Sequence, residues 1–582
     1  MTLIPARVHA LNPIIFNKKG LTVPMSKDRM SLRLKNRQFS PLVALLTRVG
    51  FLFLMLLGAG ELSSTAYAQG AVAAVSDQPA PANTAVLTNK YDASRTGQNL
   101  NETILNTGNV NVNHFGKKLS YPVDGQVYAQ PLYVPNVNVD GGTHNMAIVA
   151  TENDSVYAFD ADQNLQLWHA SFINPPQITA IPSSDTGCGD LTPKIGITST
   201  PVIDPNTNIL YVLAATKENG QYFQRLHAID ITTGNEVSQP ATITAKVKGH
   251  GDGSKNGHIS FDPLKEGQRS GLLLLNGVIY IAWASHCDHG PYHGWVMGYN
   301  ASSLQQVAVY NDSPNGSEAG IWQSGGGLAA DSNGKVYFMS GNGTFDLKGG
   351  GKDAGDSFVQ LNPSKGLSVS DYFTPFNQDC LNQEDGDLGS GGPLLLPSVN
   401  EIISAGKEGR IYVVSRASMG GYHSIKNPCS KQGRINVDRI VQEFGPGTIG
   451  GLFSTPAYWN GSNGEFVYFG GVNDAVKAYQ LTNGKLSSSP VSRTPESFGF
   501  TGGNPVISSN GSTPGTGILW TLDPNAILHA YDATNLGIEL YNTNQNAGRD
   551  GLPSYVKFTV PIVANGEVFV GTQGSLEIYG EL

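Results

Sequence analysis

The feature that most constrains the fold is an internal repeat. In each copy, a small or polar residue leads into a short apolar strand, a turn and a second apolar strand, and a polar loop then precedes aromatic-rich strands. The copies begin with strands predicted at 128–134, 198–204, 269–275, 323–330, 389–396, 453–459, 502–508 and 558–564. Short strands of alternating polarity, closed by turns such as DITTG and LTNG, are typical of a β-propeller.

Eight copies predict an all-β, eight-bladed β-propeller, with seven blades as the alternative. The last copy ends at Leu582 with only three strands, so one strand of that blade is missing. The early segment HFGKKLSYPV (114–123) can supply this strand and thereby join the two ends of the chain. Closure of the ring removes the exposed strand edges that an open sheet presents.

The N-terminal segment predicts export. A basic stretch precedes the apolar run 49–60, and Ala66-Tyr67-Ala68 forms a cleavage site before Gln69. The apolar run is too short to span a bilayer comfortably, which disfavours the alternative of a signal anchor. We therefore expect a signal peptide over 1–68, a flexible linker over 69–88 and the propeller over 89–582, in the periplasm or outside the cell.

Charge and cysteine content narrow the partners and the compartment. Because residues 1–68 hold nine Lys and Arg but two acidic residues, the rest of the chain has a net charge of −16, against −9 for the whole. An acidic surface opposes binding to nucleic acid or anionic lipid, and we expect a monomer with no membrane span after signal cleavage. The four cysteines, Cys188, Cys287, Cys380 and Cys429, predict one or two disulfides, with three full connectivities open.

Propeller topology predicts which loops carry function. The loops between second and third strands and the links between blades lie at one face, and in this chain they are long and polar, as in GNGTFDLKGGGKDAGD (341–356) and TPFNQDCLNQEDGD (374–387). We call this face the working face, because binding and catalytic residues concentrate on loops held by a rigid scaffold. The innermost strands begin around the central channel at the same face. Trp322 and the GNGTFD loop are therefore expected at one axial pocket.

Three segments resemble a known family at these positions. They are IWQSGGGLAADSNGKVYFMSGNGTFD (321–346), YFTPFNQDCLNQEDGDLGSGG (372–392) and AGKEGRIYVVSR (405–416). They resemble segments of the PQQ-dependent quinoprotein alcohol dehydrogenases, and the resemblance extends over most of 89–582. It implies PQQ-type repeats, pyrroloquinoline quinone (PQQ) and Ca²⁺ held on the axis, and oxidation of an alcohol or sugar-type substrate.

The resemblance also implies roles for individual residues. Trp322 would stack beneath the quinone, Asn342 would contact the metal ion, and Lys407 would contact the quinone oxygens. Asp387, with Asp385 as the alternative, matches the catalytic aspartate. These roles make chemical sense, because a flat quinone gains from a stacked indole, a cation stabilises the reduced ring, and a carboxylate can accept the substrate hydroxyl proton.

Further site residues are less closely matched, and the chain departs from the family pattern. Arg269, at the start of an innermost strand, and Gln323, beside Trp322, are predicted cofactor contacts. The family's adjacent Cys-Cys pair is absent, and its calcium-binding glutamate falls opposite a stretch that offers Asp288 or His289 as metal ligand instead. The haem motif CxxCH is also absent, so any electrons would pass to an unknown acceptor.

Alternative functions remain open at this level. A non-catalytic PQQ-repeat propeller could serve as an envelope scaffold, with an envelope protein partner, or as a ligand- or protein-binding module. Trp322 could simply fill the channel and Asn342 could be an ordinary turn residue. Histidine and aspartate on the working face could bind a transition ion, but their spacing matches no fixed ligand pattern: His250, Asp252, His258, Asp262, His286, His289 and His293. Glycoside hydrolysis has no support from paired-carboxylate spacing.

Overall fold

The eight repeats form eight antiparallel sheets, arranged in the order in which they occur along the chain. This is seen in a computed structural model that describes residues 85–582. The prediction of an all-β, eight-bladed propeller is therefore confirmed. The signal peptide expected over 1–68 and the linker residues 69–84 lie outside the described residues.

Each of the first four blades has four strands, which follow one another from the channel outward. Blade 1 contains Leu132–Val139, Gly142–Ala150, Ser155–Asp160 and Gln166–Ser171. Blade 2 contains Val202–Asp204, Ile209–Glu218, Gln221–Asp230 and Ala241–Thr242. Blade 3 contains Leu273–Leu275, Val278–Trp283, Trp295–Asn300 and Gln306–Asn311. Blade 4 contains Ala329–Ala330, Val336–Met339, Phe358–Asn362 and Ser368–Thr374.

The other four blades follow the same plan. Blade 5 contains Leu394–Leu395, Glu401–Ala405, Ile411–Ser415 and Gln442–Glu443. Blade 6 contains Ala457–Gly461, Gly464–Gly470, Val476–Thr482 and two outer pieces, Lys485–Leu486 and Ser492–Arg493. Blade 7 contains Val506–Ser508, Ile518–Asp523, Ile527–Asp532 and Glu539–Asn542. Blade 8 contains Ile562–Ala564, Glu567–Gly571, Ser575–Glu581 and Phe115–Pro122.

The hydrophobic core is divided among the junctions between blades. Each of eight apolar clusters combines side chains from two neighbouring blades, and the series runs around the ring back to blade 1. Middle strands therefore have two buried faces, as in Ser155–Asp160, where all six residues are buried. This explains why these strands are almost continuously apolar or aromatic, whereas a half-exposed strand alternates.

The ring closes as the sequence predicts. Phe115–Pro122 pairs antiparallel with Ser575–Glu581, so the outermost strand of blade 8 comes from the start of the propeller and its other three from the end of the chain. Tyr121 and Phe159 of blade 1 stack at 4.3 Å between ring centroids across the closing junction. The closing strand thus completes both a sheet and an apolar junction.

Residues 86–101, which we call the axial segment, line the channel next to the first strands. Their backbone or side chains hydrogen-bond to all eight blades, through partners at Tyr133, Ile203, Leu272, Ala330, Leu395, Tyr458, Ile507 and Val563. Gln98–Asn99 adds a parallel strand to blade 7. Val86 and Leu87, which the sequence assigns to the linker, already take part in these contacts.

Arg95 of the axial segment explains a difference from the predicted strands. The sequence predicts a strand over 323–330, but Gln323–Gly325 is a 3₁₀ turn and only Ala329–Ala330 pairs as a strand. A Cβ on Gly327 would lie 2.6 Å from Arg95 Cζ, so glycine is needed to admit the guanidinium. Arg95 is fully buried and donates to the Leu328 carbonyl at 2.8 Å.

The remaining elements decorate the ring. Ile178–Pro182 and Lys194–Ile195 extend blade 2, Lys246–Lys248 pairs with His258–Ser260, and Gly421–Tyr422 pairs parallel with the outer strand of blade 4. The helices are Gln378–Glu384 and Ala547–Asp550. The 3₁₀ turns are Ser183–Thr186, Gln323–Gly325, Leu347–Gly349, Pro363–Lys365, Leu388–Ser390, Pro428–Lys431 and Thr543–Asn546.

Two disulfides join long loops; Cys188, Cys287 and Cys380 lie in loops or links of the working face, and Cys429 lies between the third and fourth strands of blade 5. Cys188 bonds to Cys287, with their Cα atoms 5.7 Å apart, and Cys380 bonds to Cys429, with theirs 5.3 Å apart. The structure thereby selects one of the three connectivities that the sequence leaves open. Within residues 85–582, no helix combines the length and the apolar character needed to cross a membrane.

Candidate active site

The strand order of blades 4 and 5 brings four predicted site residues to one end of the channel. Trp322 and Asp387 precede the first strands of these blades, and Asn342 and Lys407 follow the second strands. Because neighbouring strands are antiparallel, the start of each first strand and the end of each second strand lie at the same edge of the sheet. The indole, the amide, the carboxylate and the ammonium therefore meet at the working face.

Lys407 is the centre of a compact polar network. Its ammonium lies 2.6 Å from Asp385 Oδ1 and 2.7 Å from Asp387 Oδ2. Asn342 donates its backbone N–H to Asp387 Oδ1 at 2.8 Å and its side-chain N–H to Asp385 Oδ1 at 2.9 Å. The remaining side-chain oxygen of Asn342 is buried and accepts no hydrogen bond within the described structure. This oxygen is free to bind a further donor or a cation.

Asp387 is the more enclosed of the two carboxylates. Its side chain is 10% exposed, whereas that of Asp385 is 69% exposed. A Cβ on Gly341 would lie 2.3 Å from Asp387 Oδ1, so glycine at this position permits the close approach. Burial raises the pKa of Asp387, although Lys407 and the Asn342 amide oppose the rise. A buried carboxylate with a raised pKa has the properties of a general base.

Trp322 stands between the ammonium and a group of aromatic rings. The Lys407 ammonium lies 6.0 Å from the centroid of the indole, a separation suited to a cation–π contact. Phe453 and Phe558 contact the indole edge-on at 5.9 and 6.1 Å, and their own rings are nearly parallel at 6.3 Å. Phe500, which is 57% exposed, packs against both. These rings form apolar walls beside the polar network.

Two further acidic residues, Asp288 and Glu318, lie close to the network, and the sequence did not point to Glu318. Burial raises the pKa of Glu318, and the negative charges of Asp288 and Asp387 add to the rise. The missed residue, Glu318, lies in the link between blades 3 and 4 and has a left-handed backbone, with φ of 65°. Asp288 accepts hydrogen bonds from Ser285 and from the buried Tyr292. We call Asp288, Glu318, Asp385 and Asp387, with Asn342 and Lys407, the acidic half of the site.

On the other side of the aromatic walls, two cationic side chains share one carboxylate. Arg269 and Lys557 both form ion pairs with Asp190, and we call these three residues the basic half. Burial disfavours ionisation of Asp190, but Arg269 and Lys557 outweigh it and lower its pKa. The Arg269 guanidinium lies 5.2 Å from the Phe558 ring, so this ring joins the two halves. Arg269 Nη1 is buried and has no hydrogen-bond acceptor within the described structure.

A small cavity lies beneath the basic half. Its volume is about 10 Å³, roughly the space of one water molecule, and its lining extends from Arg269 and Phe558 to Asn89 of the axial segment. Near the guanidinium, burial raises the pKa of Glu152 to about 7. Burial, reinforced by Arg269, lowers the pKa of His286 to about 4. At neutral pH, then, His286 carries no charge and Glu152 is only partly ionised.

Two predicted site residues make their contacts elsewhere. Gln323 is fully buried; its side-chain nitrogen donates to the Gly326 carbonyl and its side-chain oxygen accepts from the Met339 backbone, so it supports the start of blade 4. These contacts give no support to the prediction of a cofactor contact. His289 is exposed, with Nδ1 3.1 Å from the Thr186 carbonyl beside the Cys188–Cys287 disulfide. Arg269 does lie at the channel, as its position in the repeat predicts.

Solved structures with the same architecture include quinohemoprotein alcohol dehydrogenases. The chain is 14% identical to quinohemoprotein alcohol dehydrogenase from Comamonas testosteroni, covering 86% of this chain and 81% of that one, with a TM-score of 0.55. It is also 14% identical to quinohemoprotein alcohol dehydrogenase ADHIIG from Pseudomonas putida HK5, covering 85% and 80%, with a TM-score of 0.54. For a europium-containing methanol dehydrogenase, the identity is 13%, the coverage 86% and 99%, and the TM-score 0.57.

Comparisons at the level of sequence give no match. No protein-family model and no curated protein matches this chain. At identities this low, the structural likeness establishes the fold alone: the chain is an eight-bladed propeller with the architecture of these dehydrogenases. Its chemistry must be argued from its own residues.

Proposed function

We propose that the chain is an exported quinoprotein-type oxidoreductase that oxidises a CH–OH group of an alcohol or sugar-type substrate, with PQQ in the axial pocket. The observation that carries the proposal is the convergence of Trp322, Asn342, Asp387 and Lys407 at one end of the channel. Solved structures with this fold include alcohol and methanol dehydrogenases, which is consistent with the proposal.

The residues present fit an anionic, planar cofactor. Trp322, Phe453 and Phe558 offer aromatic surface, and Lys407 offers a positive charge over the Trp322 ring. Arg269 Nη1 is a buried donor that lacks an acceptor, and such a donor gains most from a carboxylate. When bound, PQQ would accept the two electrons and the hydrogen removed from the substrate carbon. Phe453 and Phe558 supply apolar contact in a chain that lacks the family's Cys-Cys pair.

The acidic half also fits a hard divalent cation such as Ca²⁺. Such an ion requires several oxygen ligands, and the unpartnered Asn342 Oδ1 lies in the same network as the Asp385 and Asp387 carboxylates. Glu318 and Asp288 add negative charge that the single ammonium of Lys407 does not balance. We propose Glu318 as the counterpart of the glutamate that the sequence lacks near Asp288.

Asp387 is the proposed general base. Its raised pKa suits it to accept the substrate hydroxyl proton near neutral pH. The Asn342 backbone N–H and the Lys407 ammonium hold one carboxylate oxygen each, so the orientation of the group is fixed before substrate binds. Burial opposes the charge of Lys407, but Asp387 and Asp385 outweigh burial and raise its pKa, so the ammonium persists at working pH.

Export and the electron acceptor belong to the same proposal. Two disulfides suit an oxidising compartment, in agreement with the signal peptide expected over 1–68. The haem motif CxxCH is absent from the sequence, so reducing equivalents would leave to a separate acceptor.

Reconstitution tests the proposal. The mature chain is incubated with PQQ and Ca²⁺, and we expect a bound-quinone absorption spectrum together with dye reduction in the presence of alcohols or sugars. Trp322→Ala should weaken quinone binding by roughly tenfold, the scale of one aromatic contact. Lys407→Ala should abolish most dye reduction. The control is Lys365→Ala, which removes an exposed lysine of a 3₁₀ turn in blade 4.

The outcomes separate the enzyme from the alternative. Absence of a quinone spectrum in the parent protein would favour a non-catalytic propeller acting as a scaffold or binding module. A spectrum that is unchanged in both axial variants would show that the quinone binds elsewhere on the molecule.

A further inference from the structure

A histidine and two glutamates meet near the outer edge of blade 7, away from the first strands that line the axis. His529 lies in the third strand, Glu539 begins the fourth, and Glu496 lies in the link from blade 6. One ligand atom from each lies within 4.8 Å of the others, and the group is the only one of its kind among residues 85–582. Because two carboxylates repel each other, a positive charge is needed to stabilise this arrangement.

The group has fewer hydrogen-bond donors than its two carboxylates require. His529 Nδ1 lies 2.7 Å from Glu539 Oε1 and 3.5 Å from Glu496 Oε1, and the Tyr531 hydroxyl is 3.1 Å from the same nitrogen. A neutral imidazole carries one N–H and can serve only one carboxylate. Glu496 Oε1 is buried and accepts no hydrogen bond among the described residues. The His529 side chain is 7% exposed, and its Nδ1 points into the group.

Blade 2 contains the same pair without the third residue. LHAID (226–230) matches LHAYD (528–532) in sequence and in strand position, and His227 Nδ1 contacts Glu236 as His529 contacts Glu539. Around His227, the described residues supply no third ligand group. The fold therefore repeats a histidine–glutamate pair, and Glu496 is the addition that distinguishes blade 7.

We propose that Glu496, His529 and Glu539 bind a divalent transition-metal ion of the Zn²⁺ class. One imidazole nitrogen and two carboxylate oxygens form a three-ligand set that Zn²⁺ accepts, with the Tyr531 hydroxyl or water as the fourth group. A bound cation would balance the two carboxylates and use the oxygen of Glu496 that accepts no hydrogen bond among the described residues. Ca²⁺ prefers oxygen ligands throughout, so the axial network and this site select different ions.

A metal ion at this site would stabilise the link between blades 6 and 7, which extends to the axial pocket. Beyond Glu496, Phe498 packs edge-on against His529 at 5.6 Å, and Phe500 contacts Phe453 at 5.3 Å in the axial pocket. An ion at Glu496 would attach the start of this link to blade 7. Metal binding should therefore stabilise the folded chain, because only the folded state brings the three ligands together.

Zinc titration of the full chain tests the site. After treatment with a chelator and without PQQ, the protein is titrated with Zn²⁺ by calorimetry, and thermal unfolding is followed with and without the ion. We expect one zinc equivalent per chain and a higher unfolding temperature. Glu496→Gln should weaken binding by about tenfold or more, because a neutral amide oxygen replaces an anionic carboxylate ligand. The matched control, Glu236→Gln in blade 2, should leave zinc affinity unchanged.

Each other outcome overturns the site. Failure of the parent chain to bind Zn²⁺, equal affinity in Glu496→Gln, or equal weakening in Glu236→Gln would each contradict it. If Glu496→Gln does not fold, Glu539→Gln gives the same test, and the absorption spectrum of bound Co²⁺ in the parent reports the nitrogen and oxygen ligands. Because PQQ is absent throughout, a negative result leaves the proposed dehydrogenase activity untouched, and the reverse also holds.

Discussion

The acidic and basic halves of the axial site use charge in opposite ways. In the acidic half, Asp385 and Asp387 share the single ammonium of Lys407. In the basic half, Arg269 and Lys557 share the single carboxylate of Asp190. Each half therefore retains charge that it cannot neutralise itself. A ligand that spans both halves should place an anionic group near the Arg269 guanidinium. Its electron-rich oxygens should lie near Asp385 and Asp387, with a bound cation between these oxygens and the carboxylates.

The aromatic rings lie between the two halves and contact both. Phe558 contacts Trp322 on one side and the Arg269 guanidinium on the other. The Phe558 side chain is buried, and electrostatic interactions are stronger beside buried apolar groups than in water. A ligand bound by both halves would therefore interact with their charges across an apolar ring. Substitutions in each half should produce different defects.

Asp387→Asn should have the largest effect. The asparagine retains an oxygen that can accept the Asn342 N–H, but it cannot accept a proton, so turnover in the reconstituted protein should fall by roughly 10²- to 10⁴-fold. Quinone binding should remain measurable, since the aromatic walls and the basic half are unchanged. Steady-state dye reduction and quinone absorbance report the two properties separately.

An aspartate on the neighbouring helix provides the control for this variant. Asp379 lies in Gln378–Glu384, is exposed, and should tolerate substitution by asparagine without loss of turnover. If Asp387→Asn turned over substrate as fast as Asp379→Asn, Asp387 would not be the base. The acidic half would then serve to bind a cation only.

Glu152→Gln should change how the stability of the protein depends on pH, because Glu152 keeps a proton in the folded state. Burial raises the pKa of Glu152 from 4.5 to about 7. Between these values the unfolded chain releases the proton while the folded chain keeps it, so the free energy of unfolding falls as pH rises and levels off above about 7. At about 1.4 kcal/mol per pKa unit, the full difference approaches about 3 kcal/mol.

Thermal unfolding at pH 5 and pH 8 measures this contribution. Glutamine imitates the protonated acid and can still accept the Gly196 N–H, so the variant should lose less stability than the parent between the two pH values. Asp140→Asn, at an exposed position in blade 1, should lose as much as the parent. An equal loss in Glu152→Gln would show that Glu152 ionises normally in the folded protein.

The fold could be predicted from sequence because its signal is repeated. Each blade buries both faces of its middle strands, so eight apolar strand patterns recur, and the missing strand of the last blade pointed to the closing segment Phe115–Pro122. The axial segment gave no such signal. It makes many of its contacts through backbone atoms, which any sequence supplies, and its buried polar side chains, such as Lys90, Arg95 and Asn99, follow no repeat.

The candidate site could be predicted in part. Trp322, Asn342 and Lys407 each lie beside a strand end of the repeat, so the topology placed them together once the blades were aligned. Glu318 lies inside an irregular link and reaches the site through two consecutive left-handed residues, which no periodicity reveals. The disulfide pairing was also out of reach, because it depends on where long loops meet in space.

Of the substitutions Asp387→Asn, Glu152→Gln and Arg269→Gln, the last should have the smallest effect, and it gives the sharpest comparison of the halves. A charge-assisted hydrogen bond contributes about 1.5–3 kcal/mol, so loss of the free Nη1 donor should weaken quinone binding by roughly ten- to a hundredfold. Turnover at saturating quinone should change little, because Asp387 and Lys407 are intact. Lys557→Met removes the other cation of the same half but no unpartnered buried donor. If both variants weakened quinone binding equally, general positive charge rather than the aimed guanidinium would explain the basic half; if neither did, the anionic end of the ligand would lie elsewhere.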